Sequence, residues 1–330
     1  MVKRKMARQV INSGSSSTII TQETTLMHQD RKNRRKLVSY NELPEWQKDN
    51  DYITHGYVRE TNSFMHCFES LFYLHNETVN ILTHLIPGAM VPLLCVLCIP
   101  LIFSNDNLVK TLPSFIVKIP EFPNTDVTDK YVFSLFFVGF IGCLSCSGVY
   151  HTIKSHSRNV SCVGSQLDYA GILLLIGASL VGIVHYALID TPVIKNVFIS
   201  LISIVGLASL ALTWNPNFKT PAWRPIRTCV FVLFSFTGLI PICYGLYVYD
   251  VTTVARRAGL KYVGLEALSY LTGASLYAGR FPERVSPGKF DFFGHSHQIF
   301  HILVVAGAYW HFRALVQAYI VAKTETLAIM

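Results

Sequence analysis

The sequence predicts an all-α membrane protein, a seven-transmembrane helix bundle with a cytosolic N-terminus and an extracytosolic C-terminus. Three observations carry this. Hydrophobic residues make up 51% of the 330-residue chain and charged residues only 15%, where a soluble domain carries about 25% charged residues. Seven long stretches are nearly free of charge, each close to the ~20 residues needed to cross a hydrocarbon core. Lys and Arg fall unevenly on the two sides that such a path defines.

In chain order, residues 1–37 read as a disordered basic cytosolic tail, with clustered Lys and Arg, a Ser/Thr run and few aromatics. No cleavable signal peptide is evident there, because the tail lacks an apolar core. Residues 38–78 form a juxtamembrane region. Within it, Phe64 to Leu74 has apolar residues at helical spacing, which predicts an amphipathic helix on the membrane surface, with a buried helix of soluble type as the alternative. Residues 79–321 hold the seven spans, at about 79–103, 131–153, 167–189, 194–213, 226–249, 262–279 and 297–321. The sixth is the weakest, diluted by Glu266 and several small residues. The connector 104–130 is long and carries Pro113, Pro120 and Pro123, and residues 322–330 form a short C-terminal tail.

With the N-terminus in the cytosol, 19 of the 28 Lys and Arg lie on the inner side, 11 of them within residues 1–60. Arg256, Arg257 and Lys261 fall on the other face and oppose the rule. The net charge of +8 flanks apolar spans, so an anionic leaflet is the expected neighbour and no nucleic-acid partner is expected. The sequons at Asn76 and Asn159 then face the cytosol and should stay unmodified. Eight cysteines include the pairs Cys95/Cys98 and Cys143/Cys146, both inside apolar runs; they read as small apolar helix residues.

Ionisable residues at membrane depth are costly and therefore informative. Ser147 and His151 lie near the inner end of span two, Asp168 opens span three, and His297 and His301 open span seven. The alternating path puts all five at similar depth. His297 and His301 are four residues apart and share a helix face, as do Ser147 and His151. Three imidazoles with an open fourth position match a catalytic zinc site, although imidazole also suits copper, iron and nickel. Interhelical hydrogen bonding is the plainer reading of any one such histidine. Asp168 is expected to accept a proton from a water on the metal or to orient a ligand ring, unless it simply pairs with a cytosolic Arg or Lys. Ser147 is expected to hydrogen-bond the same water, unless it bonds its own helix backbone. No other acid is expected at this depth. His295 is excluded as a ligand by helix face, and His156, His185 and His311 read as interfacial. Asn76, Asn80 and His84 recur every four residues and read as an interhelical polar network.

At these residues the chain resembles the progestin and adipoQ receptor family, which includes the adiponectin receptors and the bacterial haemolysin-III-like proteins, and most of all its fungal Izh branch. The matching segments are PEWQKDNDYITHGY from Pro44, SLFYLHNETVNILTH from Ser70, Ser147 with His151, LDYAG from Leu167, and FPERVSPGKFDFFGHSHQIFH from Phe281 to His301. The resemblance implies a seven-helix bundle with zinc (Zn2+) near the inner leaflet, ligated at His151, His297 and His301, with Ser147 and Asp168 beside a zinc-bound water. It also implies links to lipid, sterol and zinc homeostasis, a ceramidase-like amidohydrolase activity in the adiponectin receptors, and receptor-like responses to extracellular proteins. The expected partner is a membrane lipid, ceramide-like or sterol-related, with an extracellular protein ligand as a further one. The expected location is the plasma membrane or the endoplasmic reticulum.

Two readings follow. In the first, zinc activates water against a lipid amide and Asp168 shuttles the proton. In the second, the chain is a signalling receptor whose zinc is structural; no good fourth protein ligand is evident, which favours an open site. A zinc transporter ranks behind both, because the polar residues are expected at one depth rather than staged across the bilayer.

Overall fold

The computed structural model describes residues 36–104, 119–120 and 122–329. The expected tail disorder and most of connector 104–130 therefore fall outside the described residues, as do the side chains of Cys95 and Cys98. What is described is helical, with one isolated antiparallel bridge between Val38 and Tyr57 in the juxtamembrane region.

Ten α-helices are described: α1 Phe64–Glu69, α2 Thr78–Ser104, α3 Val127–Ile153, α4 Arg158–Ala187, α5 Pro192–Thr213, α6 Arg224–Phe236, α7 Leu239–Val248, α8 Val251–Arg257, α9 Leu260–Gly279 and α10 Ser296–Ile329. Five paths are long and apolar enough to cross a membrane: α3, α4, α5, the stretch Pro221–Val248, and α10 from Ser296 to Glu325. Helices α2 and α9 lie where the first and sixth spans are expected.

The fifth expected span is two helices rather than one. Pro241 has no N–H to give to the carbonyl four residues back, and the chain turns through tighter bonds at Thr237, Gly238 and Ile240 before resuming as α7. Helix α4 starts at Arg158, earlier than expected, so Asp168 stands well inside it rather than at its opening. Helix α10 continues to Ile329, through most of the expected C-terminal tail. The expected surface helix is short, α1 followed by a 3-10 turn at Ser70–Phe72. Its Phe64, Met65, Phe68 and Phe72 are exposed, while Cys67 and Ser70 are buried. On α5, Val193, Val197, Leu201 and Ile204 form an exposed apolar row, as a lipid-facing helix would.

Small residues set the helix spacing around the site. A Cβ on Gly171 of α4 would meet the Cys143 backbone of α3 at 2.9 Å. One on Gly148 of α3 would meet the Leu85 backbone of α2 at 3.1 Å. Only glycine allows these approaches. They hold Asp168 beside Ser147, and Glu77 beside His151.

Candidate metal centre

His151 lies in the last turn of α3, and His297 and His301 in the first two turns of α10. Their rings form a near-equilateral triangle, with centroid separations of 4.9, 4.9 and 4.8 Å and steeply inclined planes. One nitrogen from each lies within 4.8 Å of the others, and this group could hold a metal ion.

In two of the three rings the Nδ1 nitrogen is already engaged. Glu77 Oε2 lies 2.8 Å from His151 Nδ1, and the carbonyl of Asn80 lies 3.0 Å from His301 Nδ1. Both acceptors place the ring proton on Nδ1 and turn Nε2 outward as a lone pair, as a metal ligand requires. Nε2 of His151 is buried with no hydrogen-bond partner, which fits a cation. Three imidazoles in one site also match the chemistry of a zinc-type donor set.

Glu77 was not anticipated as part of the site, and the expectation that Asp168 is the only acid at this depth is wrong. Glu77 also accepts Lys154 Nζ and Asn80 Nδ2, each at 2.6 Å. Lys154 is the cation that balances the Glu77 carboxylate. The signal was present in the sequence: an acid one residue before an apolar helix, on the level of a candidate ligand.

Asp168 and Ser147 are buried on facing helices, and both line the same cavity as the histidines. The nearby cations pair elsewhere: Lys154 with Glu77, Arg224 with Asp49 at 2.5 Å, and Arg227 with Tyr277 at 2.9 Å.

The Asn76, Asn80 and His84 series does bridge helices, chiefly through main-chain groups. The Asn76 carbonyl takes His295 Nε2 and Gln298 Nε2, and His84 Nε2 meets the His301 carbonyl at 3.3 Å. His84 stacks flat on His301, 3.7 Å away, so it cannot converge edge-on to the same ion. His295 is held at Asn76, away from the triangle. Asn76 is itself buried, so its sequon reports nothing about sidedness.

The start of α10 is fixed from the loop before it. Glu283 is fully buried and accepts the Ser296 amide at 2.7 Å, a carboxylate on a helix N-terminus. Asp291 takes the amides of Thr54 and His55 at 2.7 and 2.9 Å, tying the juxtamembrane segment to this loop.

The cavity measures about 520 Å³. Its lining includes the histidines, Asp168 and Ser147, with Trp46, Asp49 and Tyr57 of the juxtamembrane region beside them and Ile172, Ile176, Phe231 and Val304 supplying apolar wall. Two expectations fail here. His311 is not interfacial but buried in α10, with Nδ1 2.8 Å from Glu266 Oε2. The polar residues therefore do not share one depth, which removes the argument used against transport; the second group offers only one imidazole and one carboxylate, and the three-histidine group is the one metal-capable cluster among the described residues.

Convergent histidines flanked by the carboxylates of Glu77 and Asp168, in a cavity enclosed by apolar helices, define a multi-pass membrane protein with a metal-type site. The chain belongs to the haemolysin-III-related family, whose pattern it matches over residues 72–312. It is 41% identical to the ADIPOR-like receptor IZH2 of Saccharomyces cerevisiae, over 86% of this chain and 84% of that one. It is also 41% identical to the ADIPOR-like receptor IZH1 of Eremothecium gossypii, over 88% and 87%. The adiponectin receptor protein of Drosophila melanogaster is 38% identical over 85% of this chain and 59% of its own.

Proposed function

We propose that this protein binds Zn2+ at His151, His297 and His301 and hydrolyses a lipid amide of ceramide type, acting in lipid, sterol and zinc homeostasis. The bundle is read as seven spans with the N-terminus cytosolic, which sets the site near the inner leaflet. The observation that carries the reading is the open histidine triangle, which faces an apolar cavity with Asp168 and Ser147 on its wall. An ion held there supplies Lewis acidity and makes water a nucleophile near neutral pH. Asp168 takes the proton from the attacking water and returns it to the leaving amine, so acid and amine products balance amide plus water. Ser147 orients that water. Glu77 and Asn80 keep the His151 and His301 rings aimed, and the apolar wall accepts the acyl chain. The test is metal analysis and ceramide hydrolysis on one purified sample, beside a His297→Ala/His301→Ala double variant. Zinc near one per chain with hydrolysis, both lost in the variant, is the expected result; zinc without hydrolysis of any long-chain amide sinks the enzyme reading.

A second reading is a signalling receptor in which zinc braces α3 and α10. It draws support from the three relatives named above, each of which carries the word receptor in its name. Its partner would be an extracellular protein.

A further inference from the structure

Away from the histidine triangle, the cavity wall carries a second set of polar groups. Glu266 and Tyr270 stand one turn apart on α9, His311 on α10 and Ser179 on α4, and all four line the cavity. Three of their polar atoms, His311 Nε2, Tyr270 Oη and Ser179 Oγ, are buried without a hydrogen-bond partner. His311 and Ser179 are themselves only 2% and 4% exposed. Unpaired buried polar atoms destabilise a fold, and three converging on one cavity mark a place built to be satisfied by what enters it.

The helices agree on where this place is. Ser179 lies eleven residues beyond Asp168 on α4, and His311 ten beyond His301 on α10. Glu266 lies eleven before Tyr277, whose ring packs against His297. At 1.5 Å per residue each displacement is roughly 15–17 Å. Packing fixes the level independently: a Cβ on Gly182 of α4 would meet Leu315 of α10 at 3.0 Å, and one turn back on these parallel helices stand Ser179 and His311. Between the two polar ends the wall is Ile172, Leu175, Ile176, Phe300 and Val304.

The chemistry is that of a hydroxyl receptor. The Glu266 carboxylate engages His311 Nδ1, which leaves Nε2 as the ring atom without a partner, and Tyr270 adds a phenolic hydroxyl that can donate. A hydroxyl group, donor and acceptor in one atom, matches either of them. We propose that Ser179, Glu266, Tyr270 and His311 form a second subsite, which receives a hydroxyl carried on the hydrocarbon chain of a lipid whose polar head lies at the histidine triangle. This rests on the lipid-binding reading above and narrows its ligand class. An extended chain covers roughly 1.2 Å per bond, since three bonds of peptide span at most ~3.6 Å. The hydroxyl therefore belongs about twelve to fourteen bonds from the head.

The test measures binding of stearate and of positional hydroxystearates to the purified full-length protein loaded with zinc. Stearate is expected to bind, and hydroxystearates substituted near the predicted position to bind about 2- to 10-fold more tightly, the size of one net hydrogen bond. Tyr270→Phe, which removes a single oxygen, and Ser179→Ala are expected to erase that preference while leaving stearate affinity unchanged. Stearate binding with equal affinity for every hydroxystearate overturns the subsite and leaves the lipid reading standing. No binding of stearate or of any hydroxystearate overturns both.

Discussion

Glu77 Oε2 lies 2.8 Å from His151 Nδ1, and its other oxygen lies 2.6 Å from Lys154 Nζ. One carboxylate thus sets the tautomer of a candidate ligand and neutralises the lysine that closes α3. A Glu77→Gln variant is expected to weaken zinc affinity ~10–100-fold, as loss of a ligand-orienting carboxylate does. Adding Lys154→Met should restore stability without restoring affinity, because it removes the stranded charge and not the lost acceptor. Competitive titration against a zinc chelator reads this, and unchanged affinity in Glu77→Gln refutes the orienting role.

Asp168→Asn keeps size and hydrogen-bonding capacity but removes the proton acceptor. Zinc content is expected to stay near stoichiometric while amide hydrolysis falls ~10²–10⁴-fold, the usual range for a lost general base. Because Glu77 lies at a similar depth, the comparison includes Glu77→Gln, which should lose metal first and activity as a consequence. Full zinc with full activity in Asp168→Asn removes the catalytic assignment and raises the receptor reading above the enzyme.

Asp49 answers to pH. Burial raises its carboxyl, but Arg224 and then Lys154 outweigh this and hold it at about 2, below the ordinary value of about 3.9. A depressed acid stabilises the fold above its unfolded pKa and loses that contribution as pH falls through its folded one. Asp49→Asn should therefore melt at lower temperature than the wild type above about pH 4, and the gap should close toward about pH 2. Thermal melts in detergent across that window decide it; a gap independent of pH would mean the pair does not couple to folding.

Orientation rests on Asn159, which is exposed at the start of α4. With the N-terminus cytosolic, the chain expressed in a glycosylating host should carry no glycan there. A mobility shift removed by endoglycosidase and abolished by Asn159→Gln would invert the bundle and move the histidine triangle to the opposite leaflet.

Much of this protein is local and was legible as such. Transfer of ~20 apolar side chains into hydrocarbon is a sum over neighbours in sequence, so the helix positions could be read directly. The spacing of His297 and His301, and of Ser147 and His151, is a property of one helix. The same logic failed where a helix end depends on something other than hydropathy: the break before Pro241, and the early start of α4 among polar residues.

By itself, then, the sequence determined the helical class, the candidate ligands and their shared level. Tertiary structure decided how those ligands are supported and what faces them. Glu77 reaches His151 only because Gly148 lets α2 and α3 touch, and Glu266 meets His311 only because α9 lies along α10. In a medium without water each buried charge must find its partner across a helix boundary. Which partner it finds depends on rotation and register between helices, and no periodicity within a single helix encodes either.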